Sequence, residues 1–225
     1  MHVTREELKQ VTVPKETKTY VPVSHGSIID LVSEELDKRK LKITSETYSA
    51  NRGGQQMFGN FTIAGGNKEQ DMNIGFRNSY DKSMQIGMVA GSRVIVCSNM
   101  MFSGDFKSVH MHNAGIKDEL EKIVTLTVDS LEVNFKQIQK DTKKLKSVKV
   151  NKSKIAEVLG TMFLHEDIIT TTQLSIIKNE LVFQENFKDE TMWDIYNHTT
   201  ESLKKSPVTR LVNDHIKAHE FFMAL

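Results

Sequence analysis

Cys97-Ser98-Asn99 is followed in the next segment by His110 and His112, so the chain offers one thiol with a base near it in sequence. A reactive thiol needs its pKa lowered by a neighbouring base or a helix N-terminus, which makes Cys97 with His110 or His112 the candidate nucleophile set. Against it, Cys97 follows Val94-Ile95-Val96, an apolar run where a lone cysteine behaves as a small buried hydrophobe. A second spacing suits metal chelation. His110 and His112 would share a strand face, and His215 and His219 a helix face. Positions 216–218 are Ile216, Lys217 and Ala218, however, so the glutamate of an H-E-x-x-H zinc site is absent and no third ligand is defined. Solvated or capping histidines are expected there, and no metal. There is no G-x-x-x-x-G-K-[ST] and no G-x-G-x-x-G between a strand and a helix. The acid pairs Asp118-Glu119 and Glu166-Asp167 read as helix starts that favour the dipole. No cofactor is expected.

Charge supplies the third pattern. From Lys136 to Lys154 there are eight lysines and one acid, Asp141, so that stretch carries +7 while the whole chain carries only +1. A molecule polarised in this way presents a phosphate-attracting stripe. At 100° per residue, Lys136, Lys140, Lys143 and Lys144 fall opposite Leu131 on a helix and form a ridge on its solvent side. Arg52, Arg77 and Arg93, with Tyr48 and Tyr80 near them in sequence, add the cations and stacking rings that a single strand needs. A lysine-rich helix face that is merely solvated is the competing reading.

These groups must be positioned by elements whose periods can be read. With 225 residues, 38% apolar and 26% charged, the composition is that of a globular protein able to bury a substantial core. No stretch has the apolar length of a membrane span, the start MHVTREELKQ lacks a secretory signal, and one cysteine suits a reducing compartment. A cytoplasmic location is therefore expected. Residues 1–23, with Pro14 and Pro22, read as a short helix and an extended arm that packs on a neighbour or stays mobile. Ser24 or Ser27 caps a helix carrying Ile28, Leu31, Val32 and Leu36 to about Lys40. From Leu41 to Asn99 apolar residues alternate in short runs, which predicts an antiparallel meander of about five strands. Its turns are placed at Arg52-Gly53-Gly54, Gly65 to Lys68, Asn78 to Lys82 and Gly91-Ser92. Helical spacing returns from Ile116 to Leu145 as one long helix, and the last third is helical at 153–164, 170–181, 191–205 and from Pro207 onward. The order predicts an α+β fold: an arm over 1–23, an α+β core over 24–150 and a helical region over 151–225 packed on it.

"NSYDKSMQ" (Asn78 to Gln85), followed by "RVIVCSNMM" (Arg93 to Met101), resembles the signature of a phage- and plasmid-borne family of unknown function that also occurs in prophages. Its members typically show Asn-Ser-His-Asp-Gly-Ser and then an apolar strand ending Cys-Ser-Asn-Gly. Asn78, Ser79, Asp81, Ser83, Cys97, Ser98 and Asn99 match, whereas Tyr80, Lys82 and Met100 replace His, Gly and Gly. "WDIYNHTTESLKK" is similar to the family's Trp-x-x-Tyr-Asn-x-x-Thr helix through Trp193, Tyr196, Asn197 and Thr200. No activity comes with the resemblance, and a tyrosine in place of histidine argues against acid–base chemistry at position 80. The layout is also similar, at fold level only, to phage single-strand annealing proteins, which assemble side by side and hold a strand in a basic groove.

The resulting expectation is a non-enzymatic phage or mobile-element protein that binds single-stranded nucleic acid in recombination or annealing, as a possible homo-oligomer and without membrane contact. The alternatives are a protein-interaction or structural module, such as a counter-defence factor or virion component meeting an acidic partner, and a cysteine-dependent enzyme.

Overall fold

The computed structural model describes residues 2–51, 53–95, 99–102, 107–108, 115–183, 187–188 and 190–225. Strand β1 (His2–Val3) and helix α1 (Arg5–Gln10) precede α2 (His25–Lys38), after which the chain lays down β2 (Ile43–Ala50), β3 (Gln56–Ile63), β4 (Gln70–Ser79), β5 (Gly87–Val94), β6 (Met100–Phe102) and β7 (Lys107–Ser108). Six further helices follow: α3 (Ile116–Asp129), α4 (Leu131–Ser147), α5 (Lys152–Leu164), α6 (Thr171–Phe183), α7 (Met192–Leu203) and α8 (Leu211–Ala224). The fold is α+β. One antiparallel sheet runs β1-β2-β3-β4-β5-β6, and β7 also pairs with β5. The meander forms because each strand carries its large apolar groups two residues apart, and glycines at positive φ (Gly53 +90°, Gly54 +72°, Gly65 +110°) close its first two turns.

The sheet is covered on both faces. One face carries Tyr48, Phe61, Ile63, Ile74, Phe76, Met88 and Ala90, which pack with Ile28, Val32 and Leu36 of α2 and Ile116, Leu120 and Val124 of α3. Farther along that face Val94 and Met101 meet Ile138 and Leu145 of α4 together with Tyr196 of α7 and Phe222 of α8. The opposite face carries Phe58, Val89 and Phe102, which pack on Leu211 and Val212 at the start of α8. An ion pair from Arg39, the C-cap of α2, to Asp129 at the end of α3 and a hydrogen bond to Glu35 tie these two helices together. Glu35 of α2 accepts from Lys38, Arg39 and Thr125 of α3, and these donors hold its carboxyl down at about 2, Lys38 foremost, against the opposing effect of burial.

The N-terminal arm packs on its own chain. Leu8 is buried, Lys9 pairs with Asp30 of α2 and Arg5 with Glu46 of β2. Ser24 is the N-cap of α2, accepting from the Ser27 amide, and Thr191 opens α7 with a capping box closed by Asp194.

Three expected features are corrected. The helix expected over 116–145 is two helices that meet at Ser130, a turn residue still in the right-handed region (φ −81°, ψ −9°) whose hydroxyl donates to the Thr127 carbonyl. Gly91-Ser92 is not a turn: both lie inside β5, Gly91 opposite Asn73 and Phe102, Ser92 opposite Met72 and Met101. Glycine is required at 91 by close approach, since a Cβ there would stand 2.4 Å from the Met101 carbonyl and 2.6 Å from the Phe102 ring. Pro207 lies in a turn ahead of α8 rather than in its first turn, with the Arg210 and Leu211 amides donating to its carbonyl.

Gly91→Ala is therefore expected to destabilise the fold by about 1–3 kcal/mol through overpacking. Gly160→Ala in α5, where a Cβ meets nothing within 4 Å, is expected to stabilise it by up to about 1 kcal/mol. Urea unfolding of the two variants beside the parent checks both signs.

Candidate nucleic-acid interface

Helix α4 keeps Leu131, Phe135, Ile138, Thr142 and Leu145 inward, which turns Lys136, Lys140, Lys143 and Lys144 to the exposed side. Asp141, the one acid among them, also faces in. It accepts from Gln137 at 2.8 Å and from His219 Nε2 at 3.2 Å, and His219 Nδ1 lies 3.4 Å from the Tyr196 hydroxyl. The Asp141–His219–Tyr196 series is closed from solvent; burial pushes the His219 pKa down, with Asp141 opposing, and pushes the Tyr196 pKa up. It ties α4 to α7 and α8, and it withdraws Asp141 from the ridge. Lys140 and Lys143 have no ion pair among the described residues, Lys136 stands 4.0 Å from Glu132, and Lys144 donates to the Met223 carbonyl at 2.7 Å. Farther along, Lys146 and Lys154 are neutralised by Glu69 and Glu157. The cationic face is thus the span from Lys136 to Lys144, about 12 Å of helix axis.

The arginines lie elsewhere. Arg77 alternates with Phe76, and Arg93 with Val94, so both point to the sheet face opposite α3 and α4. Arg77 is buried and its Nη1 donates to the Thr209 carbonyl at 3.4 Å, anchoring the α7–α8 connection; burial lowers its pKa. Arg93 reaches across β4, its Nη1 donating to Thr62 of β3 at 3.0 Å and Ser45 of β2 at 2.9 Å. The lysines and arginines therefore do not form one groove.

The aromatic expectation is corrected as well. Tyr48 is 4% exposed, edge-on to Phe61 and Phe76, with its hydroxyl donating to Glu46. Tyr80, also 4% exposed, is stacked on the His25 ring at 4.0 Å and its hydroxyl accepts from the His25 amide. Neither ring has a face for a base. Arg52, Cys97, His110 and His112 lie outside the described residues. His215 and His219 are buried rather than solvated or capping, and no group of three or more metal-ligating side chains occurs among the described residues.

The signature residues build a junction. Asn78 donates its amide to the Val23 carbonyl at 2.8 Å and to His25 Nδ1 at 3.0 Å, which leaves His25 Nε2 to donate to the Gly54 carbonyl at 2.9 Å. Ser79 exchanges hydrogen bonds with the Met84 backbone, while Asp81 accepts from Ser83 and Gln56. The N-terminus of α2, the β2–β3 turn and the end of β4 are thereby locked together. At the far end of the molecule Asn99 donates to the Asn197 carbonyl, and Asn197 donates back to that of Trp193.

A family model described as a domain of unknown function, DUF932, matches residues 15–220. The chain belongs to the DUF932 family. No curated protein and no solved structure matches it. In this DUF932 chain Asn78 and Asn99, one from each half of the signature, donate to backbone carbonyls, as residues that hold elements in place do. Lys82, where the signature usually has glycine, adopts φ +62°, the left-handed conformation that glycine adopts at least cost. Sequence reasoning missed His25 as the centre of the junction; a histidine directly after an N-cap serine gave no signal of its own.

Acid should weaken the fold through its buried histidines. Burial, with the Lys204 charge adding to it, pushes His215 down to about 4 against a smaller contrary pull from the Met100 backbone, and burial lowers His25 as well. The unfolded chain titrates histidine near 6.5, so it binds more protons than the native state between about 6.5 and 4. Stability is then full above that window and falls as the pH drops through it. His215→Leu is expected to flatten this fall by up to about 1.4 kcal/mol per pH unit, read from urea midpoints between pH 7 and 4.5.

Proposed function

We propose that this protein is a non-enzymatic binder of single-stranded nucleic acid, phage- or mobile-element-encoded, that engages the phosphate backbone through the exposed lysine face of α4. The observation that carries the reading is the inward turn of Asp141: it accepts from His219 and Gln137, so Lys136, Lys140, Lys143 and Lys144 face solvent with no carboxylate interleaved on their side. A cationic stripe compensated only at its Lys136 end, by Glu132, attracts polyanions by counterion release without reading their sequence. Because Tyr48 and Tyr80 are packed inside, affinity rests on phosphates alone. Discrimination between single and double strands is then weak, and close placement of strands rather than base readout is the contribution such a face makes to annealing or recombination. Side-by-side assembly would lengthen the stripe.

One observation favours a second reading, a protein-interaction module. Between α5 and α6 lies an apolar groove of about 980 Å³, with Ile155, Leu159, Phe163 and Leu174 in its lining and Lys152, Lys178 and Lys188 around it. Nearby, Leu164, Val182 and Phe183 are 70%, 68% and 72% exposed. That chemistry fits an acidic amphipathic helix of a partner, laying its apolar stripe in the groove and its carboxylates on the lysines.

Fluorescence anisotropy with labelled oligonucleotides tests the first reading. Affinity should fall with salt with a log–log slope of about −3 for four phosphate contacts, and it should be similar for unrelated sequences. Lys140→Glu, Lys143→Glu and Lys144→Glu combined should weaken all sequences alike by tenfold or more; no binding at low salt, or binding indifferent to salt, sinks the reading. For the second, a designed acidic amphipathic peptide should bind the parent, and Phe163→Asp should abolish that binding.

A further inference from the structure

The face of the sheet that carries Arg93 is not filled everywhere by α8. Between β2, β3, β5, β6 and the connection from Lys204 to Leu211 a cleft of about 630 Å³ opens, a volume suited to a small organic ligand. Three kinds of surface converge in it. Its floor holds Asn60, 2% exposed, whose Oδ1 has no hydrogen-bond partner among the described residues. Beside it on the same face, Asn73 is fully buried with neither amide atom paired among the described residues, opposite Thr62 and Gly91 in the ladder. Its rim holds the cations Arg93, Lys204 and Lys205. Its apolar wall is Phe58 with Met100 and Leu211.

A buried amide oxygen without a donor is costly, and polar groups so placed are paired in native proteins by protein, water or ligand. The cations are only partly compensated. Arg93 has Nη1 engaged by Thr62 and Ser45 and stands opposite Asp71; Lys204 pairs with Glu201; Lys205 is exposed with no ion pair among the described residues.

We propose that this cleft binds a mononucleotide: the phosphate at Arg93, Lys204 and Lys205, a base or sugar donor on Asn60 Oδ1, and the base along the apolar wall at its partly exposed member, Met100. One small molecule then answers all three surfaces, whereas inorganic phosphate answers only the rim and a nucleoside only the floor and wall. The ligand has two sources with the same chemistry, a free mononucleotide and the terminal nucleotide of a strand. The site lies on the other side of the sheet from the α4 lysines and stands whether or not those lysines bind nucleic acid.

Isothermal titration of the full chain with AMP, GMP, CMP and UMP, with adenosine and inorganic phosphate as controls, tests it. At least one mononucleotide should bind 1:1 with Kd of about 1 mM or tighter, and both controls at least tenfold more weakly. Lys205→Glu, at the surface, should weaken binding tenfold or more. Asn60→Leu should abolish it while holding or raising the thermal midpoint, as expected when an unpaired buried oxygen is removed. The Lys140→Glu, Lys143→Glu, Lys144→Glu variant should bind as the parent does. A 5′-phosphorylated tetranucleotide binding tenfold tighter than the mononucleotide assigns the strand end; equal or weaker binding assigns the free nucleotide. The proposal is overturned if no mononucleotide binds at 10 mM, if phosphate binds as well as they do, if Lys205→Glu binds normally, or if the α4 variant loses binding.

Discussion

The central strands β3, β4 and β5 are covered on both faces, and most of the molecule follows from that constraint. A meander with one solvated face can leave its alternate residues polar at no cost, but this one cannot. Its polar positions must find partners in the interior. Gln70 meets Ser92 and Thr142 of α4, Asn78 meets His25 and the Val23 carbonyl, and Asn99 meets the Asn197 carbonyl. Each pairing joins the sheet to a helix or to the chain entering one. The polar groups thus specify where helices dock, while Phe61, Phe76 and their neighbours supply the hydrophobic drive.

The same constraint marks what sequence could reveal. Period was legible: the two-residue alternation placed the strands, and the threes and fours placed the helices, because both depend on which side of a segment is apolar. The second cover was not. Arg77 read as a cation open to a nucleic-acid strand, since nothing local to β4 announces that the connection into α8, more than a hundred residues later, lies over it. Gly91-Ser92 failed for the same reason. A glycine demanded by the Phe102 ring cannot be told from one demanded by a turn until the neighbouring strand is in place. The break at Ser130 was hidden because Leu131 and Phe135 keep the apolar register of α3 across it. His215 and His219 looked like surface residues for want of the long-range contacts with Phe102 and Asp141 that bury them.

The signature residues that carry the family resemblance also gain a physical reading. Asn78, Ser79, Asp81 and Ser83 spend their hydrogen bonds on backbone, on one another and on the neighbouring His25 and Gln56 side chains, and Asn99 and Asn197 donate to backbone carbonyls at the other end. Side chains committed in this way specify a fold. They cannot also serve a ligand without releasing the elements they tie down. Function in this chain is therefore sought away from them, and two places among the described residues combine cations with surface access: the outer side of α4 and the rim of the cleft over β3 and β5.

These two places differ in kind. The α4 face is convex and flanked by solvent, so its charges act at a distance and are screened by salt within about 10 Å. The cleft is concave, with cations at its edge, apolar walls and amide groups below, so charges there act in a lower effective dielectric and can orient what they hold. The sheet between them is buried on both sides and stiff, with no path of exposed cations across it. Two anion-attracting surfaces separated in this way are independent unless something couples them. One physical link is α8, whose His219 holds Asp141 inward from the lysine ridge and whose Leu211 lines the cleft. A shift of that helix would be felt at both surfaces, which makes its seating on Phe102 and Phe58 one feature through which one site would influence the other.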